Sequence, residues 1–302
     1  MYSYSYAEYK KTILELLCKK YGIATVIEIV VQKINGKKAD AICFQLGTNV
    51  ASPIVYFEMD KERYTDEDVK SFIKKTETKY ELAKQFTDNR VRNLSNWNEV
   101  KDKIYPQLMN YEINKKALQK IPHVRFLDMA VGFFCNTTRL FPKTELGAVT
   151  VNTKLKMPWG VTDEELMESA MSNLKKLPFD MKTLEEVAAV YGATIQTKRN
   201  SSLYMLTVYT GMFGAAVLLN NEFLKEVCNK LKCSKLWIIA SSVHEIMVLP
   251  FEYAKEAFHV HETSISFNEI IEPDDILSES LYIFDVEKGK LEIYERDKNG
   301  QT

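Results

Sequence analysis

Cysteine, proline and glycine are all scarce in this 302-residue chain, at 5, 8 and 11 residues. The cysteines, Cys18, Cys43, Cys135, Cys228 and Cys233, are odd in number and scattered, so no disulfide framework is implied. Cys228 and Cys233 stand five apart, too wide for a CxxC metal knuckle or redox pair. Each sits beside apolar residues, as buried free thiols do, which points to a reducing cytoplasm. The glycines form no GxGxxG and no P-loop, and HExxH and the calcium-loop pattern are also missing. Nothing in the sequence asks for a cofactor. Neither sign of charge dominates: 40 basic residues face 41 acidic ones. Nucleic-acid binding is therefore not expected, because Lys74-Lys75, Lys115-Lys116 and Lys175-Lys176 are each flanked by acids whose fields cancel theirs. No apolar run approaches the ~20 residues that span a bilayer, and the first residues lack the pattern of a signal peptide.

What is present is an ordinary globular balance, 46% hydrophobic and 27% charged. Residues 6–20 carry Tyr9, Ile13, Leu16 and Leu17 at helical spacing, and Gly22 closes that helix. Two β-rich runs follow around Asn35-Gly36, a hairpin signal, and residues 52–59 read as a third strand. Residues 64–119 carry no strand signal. They read as two charged amphipathic helices, the second kinked at Pro106. Residues 124–135 read as one long strand with Asp128 inside it, paired with residues 147–155. Thr162 and Glu165 have capping-box spacing, and residues 179–192 read as a further helix closed by Gly192. The stretch from Ser201 to Pro250 reads strand, strand, helix, strand, strand, with LYMLTVY and AAVLL as a hairpin around TGMFG. Asn220 and Asn221 are placed to cap the helix between the two pairs. A helix after Pro250, a hairpin turning at residues 287–290 and a polar tail at 297–302 complete the chain. The expected fold is α+β, with mainly antiparallel sheets built from successive hairpins and helices packed on them. The expected division is an N-terminal module over 1–60, a helical connector over 61–120 and a main domain over 121–302.

Five ordered segments lie between residues 108 and 286: NYEINKKALQKIPHVRFLDMAVGFF, TVNTKLKMPWGVTDEELMESAMSN, LYMLTVYTGMFGAAVLLNNEFLKEV, LWIIASSVHEIMVLP and EPDDILSESLYIFD. In these the chain resembles an uncharacterised bacterial family, known as a domain of unknown function and found in gut Firmicutes and their mobile elements. The resemblance implies a bacterial or phage protein of the cytoplasm. It brings no activity and no catalytic residues.

Three clusters could carry chemistry. Ser241, Ser242, His244 and Glu245 supply the residue types of a hydroxyl–imidazole–carboxylate relay. Neighbours on an extended segment point to opposite faces, so the competing reading is a turn whose serines bond the backbone. His259 and His261 would share one face of a strand and could bind a metal, given a third ligand such as His123, His244 or Asp128. Asp128, in RFLDMAV, must be paired if its strand is buried; Arg125 is nearest but falls on the opposite face. Asp274 and Asp275 read as caps of the turn after Pro273, and Ser278 as another cap there. The reading carried forward is a non-enzymatic protein-binding accessory protein with a protein partner, a host defence or regulatory protein being the candidate. The alternative is a hydrolase using His244 with Ser241 or Ser242, or a metal-dependent enzyme using His259 and His261.

Overall fold

A computed structural model describes residues 3–32, 38–45, 54–57, 61–85, 94–137, 148–190, 203–208, 212–267 and 275–295. The Asn35-Gly36 turn, Gly192, the polar segment 193–202, Pro273, Asp274 and the tail at 297–302 lie outside those residues. The chain folds as two units, Met1–Glu99 and Val100–Thr302.

The first unit begins with strand β1 (Ser3–Tyr4) and helix α1 (Tyr6–Tyr21). Ser5 caps α1 in a reciprocal box. Its hydroxyl accepts from Glu8 N–H while its own N–H donates to Glu8 at 2.8 Å. Gly22, at φ 92°, closes the helix in a conformation that glycine adopts without strain. Tyr9, Ile13 and Leu17 turn inward, whereas Leu16 lies outside. Strands β2 (Val26–Gln32), β3 (Lys38–Phe44) and β4 (Ile54–Tyr56) form an antiparallel meander. Strand β5 (Tyr64–Thr65) pairs with β1, and helix α2 (Asp66–Gln85) follows it directly. One core joins Tyr9, Ile13, Leu17, Ile42, Phe44, Val55, Phe72 and Tyr80.

Among the described residues the second unit holds two antiparallel sheets. The smaller contains strand β6 (Ile104–Asn110), which helix α3 (Tyr111–Leu118) follows, then β7 (Val124–Phe126), β8 (Met129–Asn136) and β9 (Ala148–Thr150). β8 is its axis, pairing with β6 on one side and with β7 and then β9 on the other. Helix α4 (Asp163–Lys175), capped by the Thr162–Glu165 box, packs on β6. The larger sheet has six strands: β10 (Phe179–Thr183), followed by helix α5 (Leu184–Val190), β11 (Tyr204–Val208), β12 (Lys235–Ile239), β13 (Ile246–Pro250), β14 (Leu281–Asp285) and β15 (Lys290–Ile293). Its strand order is β10-β11-β13-β12-β14-β15. Helix α6 (Asn221–Leu231), capped by Asn220, joins Tyr105, Phe134, Leu206, Ile238 and Phe284 in the main core. Helix α7 (Ala254–Phe267) covers the opposite face, with Ala257 and Phe258 against Trp237, Ile239 and Leu249.

The α+β fold with antiparallel sheets is as expected from the sequence. Four local expectations need correction. Residues 104–110, expected to be helix within the 61–120 segment, form strand β6. Tyr111 N–H donates to Asp128 O at 3.2 Å, which fixes the phase of the ladder. The β8-facing bonds then fall on odd-numbered residues, so Pro106 turns its missing donor to the edge of β6 that pairs with no strand among the described residues, where it costs nothing. Residues 179–183, expected to be helical, form strand β10, because a further reciprocal box between Thr183 and Glu186 starts the helix only at Leu184. Residues 214–219, expected to be a strand, form a buried 3-10 helix. A short apolar run fits either state by periodicity alone. The strand expected at 124–135 is broken into β7 and β8 by Leu127, whose φ is 57°.

Candidate functional site

The break at Leu127 moves Asp128 out of the sheet and into the β7–β8 turn. Its carboxylate is met by hydroxyls, not by the cation expected from the sequence. Ser278 Oγ and Ser280 Oγ donate to Oδ2 at 2.7 and 3.0 Å, and Tyr282 OH donates to Oδ1 at 2.5 Å. Tyr282 OH also lies 2.6 Å from Ser278 Oγ, which accepts the Ser280 N–H at 2.9 Å. Arg125 turns elsewhere: its Nε donates to Leu127 O and its guanidinium lies 3.9 Å over the Tyr111 ring. Tyr282 is fully buried. That burial first, and the Asp128 charge second, push its phenol well above the usual tyrosine range.

The segment leading to Ser278 holds the second cluster. Residues 275–278 run antiparallel to 240–243, with Val243 N–H donating to Asp275 O, Leu277 N–H to Ser241 O and Ser278 N–H to Ala240 O. Ser242 and Ile276 form a β-bridge between the two segments. This places Asp275 beside His244, whose Nε2 lies 3.2 Å from Asp275 Oδ1. On the other side of the ring, Phe213 N–H donates to His244 Nδ1 at 3.4 Å. A backbone N–H can only donate, so Nδ1 accepts and Nε2 carries the proton toward the carboxylate. The Phe213 ring stacks near the imidazole, 6.1 Å between centroids at 19°. Ser242 Oγ accepts from His244 N–H at 3.0 Å, the turn-closing bond that serine makes with its own backbone. Thr207 Oγ1 donates to His244 O at 2.8 Å. Gly214 lies so close that a Cβ there would collide with Thr207 Oγ1 and with the His244 carbonyl.

Ser241, Ser242 and His244 thus share one turn with Asp275, and Asp128 is held a few residues further along the same segment. Glu245 sits apart from the imidazole and lines a cleft with Asp180 and Lys182. His259 and His261 stand on α7, not on a strand. Two residues apart on a helix, they are separated by about 200° around its axis. His261 Nε2 is 2.8 Å from Glu279 O. His123 Nδ1 lies 2.8 Å from Ile121 O. Among the described residues no group of three or more His, Cys, Asp and Glu side chains could hold a metal ion.

Sequence reasoning missed Phe213, Ser280 and Tyr282, and read Asp275 and Ser278 only as turn caps. One signal was available. Ser278, Ser280 and Tyr282 alternate, and period two places all three hydroxyls on one face of an extended segment.

No curated protein and no solved structure matches the chain. A family match does exist, and it begins at residue 6, about a hundred residues before the first of the five resembling segments. It runs through both units and both clusters to Val286: over residues 6–286 the chain belongs to DUF5688, a family of unknown function.

Proposed function

We propose that the protein is a non-enzymatic binding protein that acts on a protein partner in the cytoplasm. The observation that carries this reading is the commitment of the His244 ring. One nitrogen accepts from Phe213 N–H and the other donates to Asp275, so no lone pair is left for a substrate proton. The imidazole braces the 213 turn against residue 275, and the Ser242 hydroxyl serves the backbone. The Asp128 carboxylate is likewise filled by three hydroxyls. The bacterial mobile-element setting that the resemblance implies makes a host defence or regulatory protein the proposed partner.

In-cell crosslinking followed by affinity capture tests this reading. A stoichiometric, reproducible partner supports it, and its absence across growth conditions counts against it. His244→Ala supplies an independent check. As a half-exposed brace, the ring should contribute about 0.5–1.5 kcal/mol, so the variant melts at lower temperature and keeps its cellular effect where it stays folded.

One observation favours a second reading, a hydrolase. An imidazole with a carboxylate at 3.2 Å and a serine two residues away is the raw material of a relay. Labelling of Ser241 or Ser242 by a fluorophosphonate, lost in His244→Ala while the protein stays folded, would move the protein to that class.

A further inference from the structure

Helix α7 covers one face of the six-stranded sheet over β12 and β13, and among the described residues no element covers that face at the β10 end. Cross-strand pairs Asp180–Thr207 and Lys182–Met205 lie there, and the β11–β13 register, continued by one residue, brings Glu245 opposite Thr207. Helix α5 adds Val187 and Val190, and together these residues line a cleft of about 340 Å³. Val187, Val190, Met205 and Leu206 give it an apolar wall, and Val190 at the rim is 70% exposed. Asp180 and Lys182 neutralise each other at 2.6 Å. Glu245 has no ionic or hydrogen-bonding partner among the described residues, so the cleft keeps one uncompensated negative charge.

The strand beside the cleft is also open. Among the described residues β10 pairs only with β11. Thr183 N–H is turned away from β11 to Glu186 Oε2 at 2.8 Å. The ladder to β11 therefore runs through Asp180 and Lys182, and the backbone groups of Phe179 and Met181 face outward. An added strand would find its hydrogen-bonding partners there, with alternate side chains directed over the cleft.

We propose that this edge and cleft bind an extended segment of the protein partner by strand addition to β10, with one of its Arg or Lys side chains reaching Glu245. The aliphatic stem lies along Val187, Val190 and Met205, and the cationic head meets the free carboxylate, as amphipathic side chains do. The inference rests on the protein-binding reading and names the chemistry of its partner.

The test uses the full chain and three fluorescent strand-forming peptides of alternating Val and Thr. One carries a central arginine, one citrulline in its place and one glutamate. Anisotropy should show the arginine peptide binding at least about tenfold more tightly than the citrulline peptide, and the glutamate peptide not at all. Glu245→Gln should remove that preference, and added salt should weaken it. Met181→Pro should weaken both neutral and cationic peptides, because proline deletes an outward donor while its fixed φ is tolerated on an edge. Melting curves confirm that both variants fold. Equal binding of the arginine and citrulline peptides, or unchanged binding by Glu245→Gln, would overturn the proposal, as would no binding of the arginine peptide. The two ideas fail separately. A captured partner that still binds Glu245→Gln undirected by charge sinks the cleft but spares the binding reading. An arginine peptide that binds as described, in cells where no partner is ever recovered, does the reverse.

Discussion

At the scale of single residues, the half-buried Asp128 and the buried Gln107 are both polar problems, solved to different degrees. Asp128 has every oxygen engaged, by Ser278, Ser280 and Tyr282. Hydrogen bonds to an ionised group contribute about 1.5–3 kcal/mol each in net terms, and removing the acceptor leaves the fully buried Tyr282 hydroxyl short of one. Asp128→Ala should therefore cost about 2–4 kcal/mol, and Tyr282→Phe less, as read by denaturant titration. The phenol adds a pH signature. Its folded-state value is raised above that of the unfolded chain, so its contribution is full below the ordinary tyrosine value of 10.0 and is lost as pH rises beyond it. Alkaline unfolding should be shallower in Tyr282→Phe. Gln107 is the opposite case. Among the described residues its Nε2 makes only long contacts, 3.4 Å to Thr150 Oγ1, 3.5 Å to Phe133 O and 3.9 Å to Met109 Sδ, and its buried Oε1 has no partner. Phe133 O keeps the Val151 N–H at 2.8 Å whatever happens to the amide. Gln107→Leu should thus raise stability by about 1 kcal/mol. A fall in melting temperature would mean that the amide serves something that a leucine cannot.

At the scale of elements, the helix caps were the most legible feature of the sequence. Thr162 with Glu165, and Asn220, sit where their spacing placed them, because a cap is settled between neighbouring residues. The hairpins at residues 235–250 and 281–293 were legible for the same reason. Strand β6 was not, because Ile104, Tyr105, Leu108 and Met109 fit a helical face as well as a strand buried on both sides, and only pairing with β8 decides. The candidate site was half legible. The turn at residues 241–244 is visible in its serines, but Asp275 and Phe213 reach His244 from 31 residues away on either side. One unread cap carries a prediction. Thr65 N–H donates to Asp68 Oδ2 at 2.8 Å and Asp68 N–H returns to Thr65 Oγ1, at the start of α2. The Lys61 ammonium first, then the Thr65 N–H, hold the Asp68 carboxyl down at about 2 against an ordinary 3.8. A lowered value means stability that is present above 3.8 and lost as pH falls toward about 2. Melting temperature followed through that window should fall less in Asp68→Asn, which has no charge to lose. The effect is modest, because the Lys61 ammonium at 2.6 Å is itself half exposed and screened by water and salt.

At the scale of the molecule, the two units carry separate cores. Among the described residues, one cluster runs from Tyr9 to Tyr80, and two more draw all their members from residues 105–294. A domain with its own core can melt on its own, and unfolding enthalpy scales with length at ~0.7 kcal/mol per residue near 60 °C. Calorimetry on the full chain should then resolve two transitions, with the second unit absorbing about twice the heat of the first because it is about twice as long. The residue-scale variants identify which is which. Asp68→Asn should shift only the smaller transition at acid pH, and Asp128→Ala only the larger one at neutral pH. A single transition that both substitutions move equally would show one cooperative block, and stability effects in either unit would then spread through the whole chain. If the transitions separate as expected, residues 100–302 expressed alone should give a cooperative melt and dispersed amide resonances. That fragment also holds the His244 turn, the Asp128 network and the β10 cleft, so partner capture with it would show whether binding needs the first unit at all.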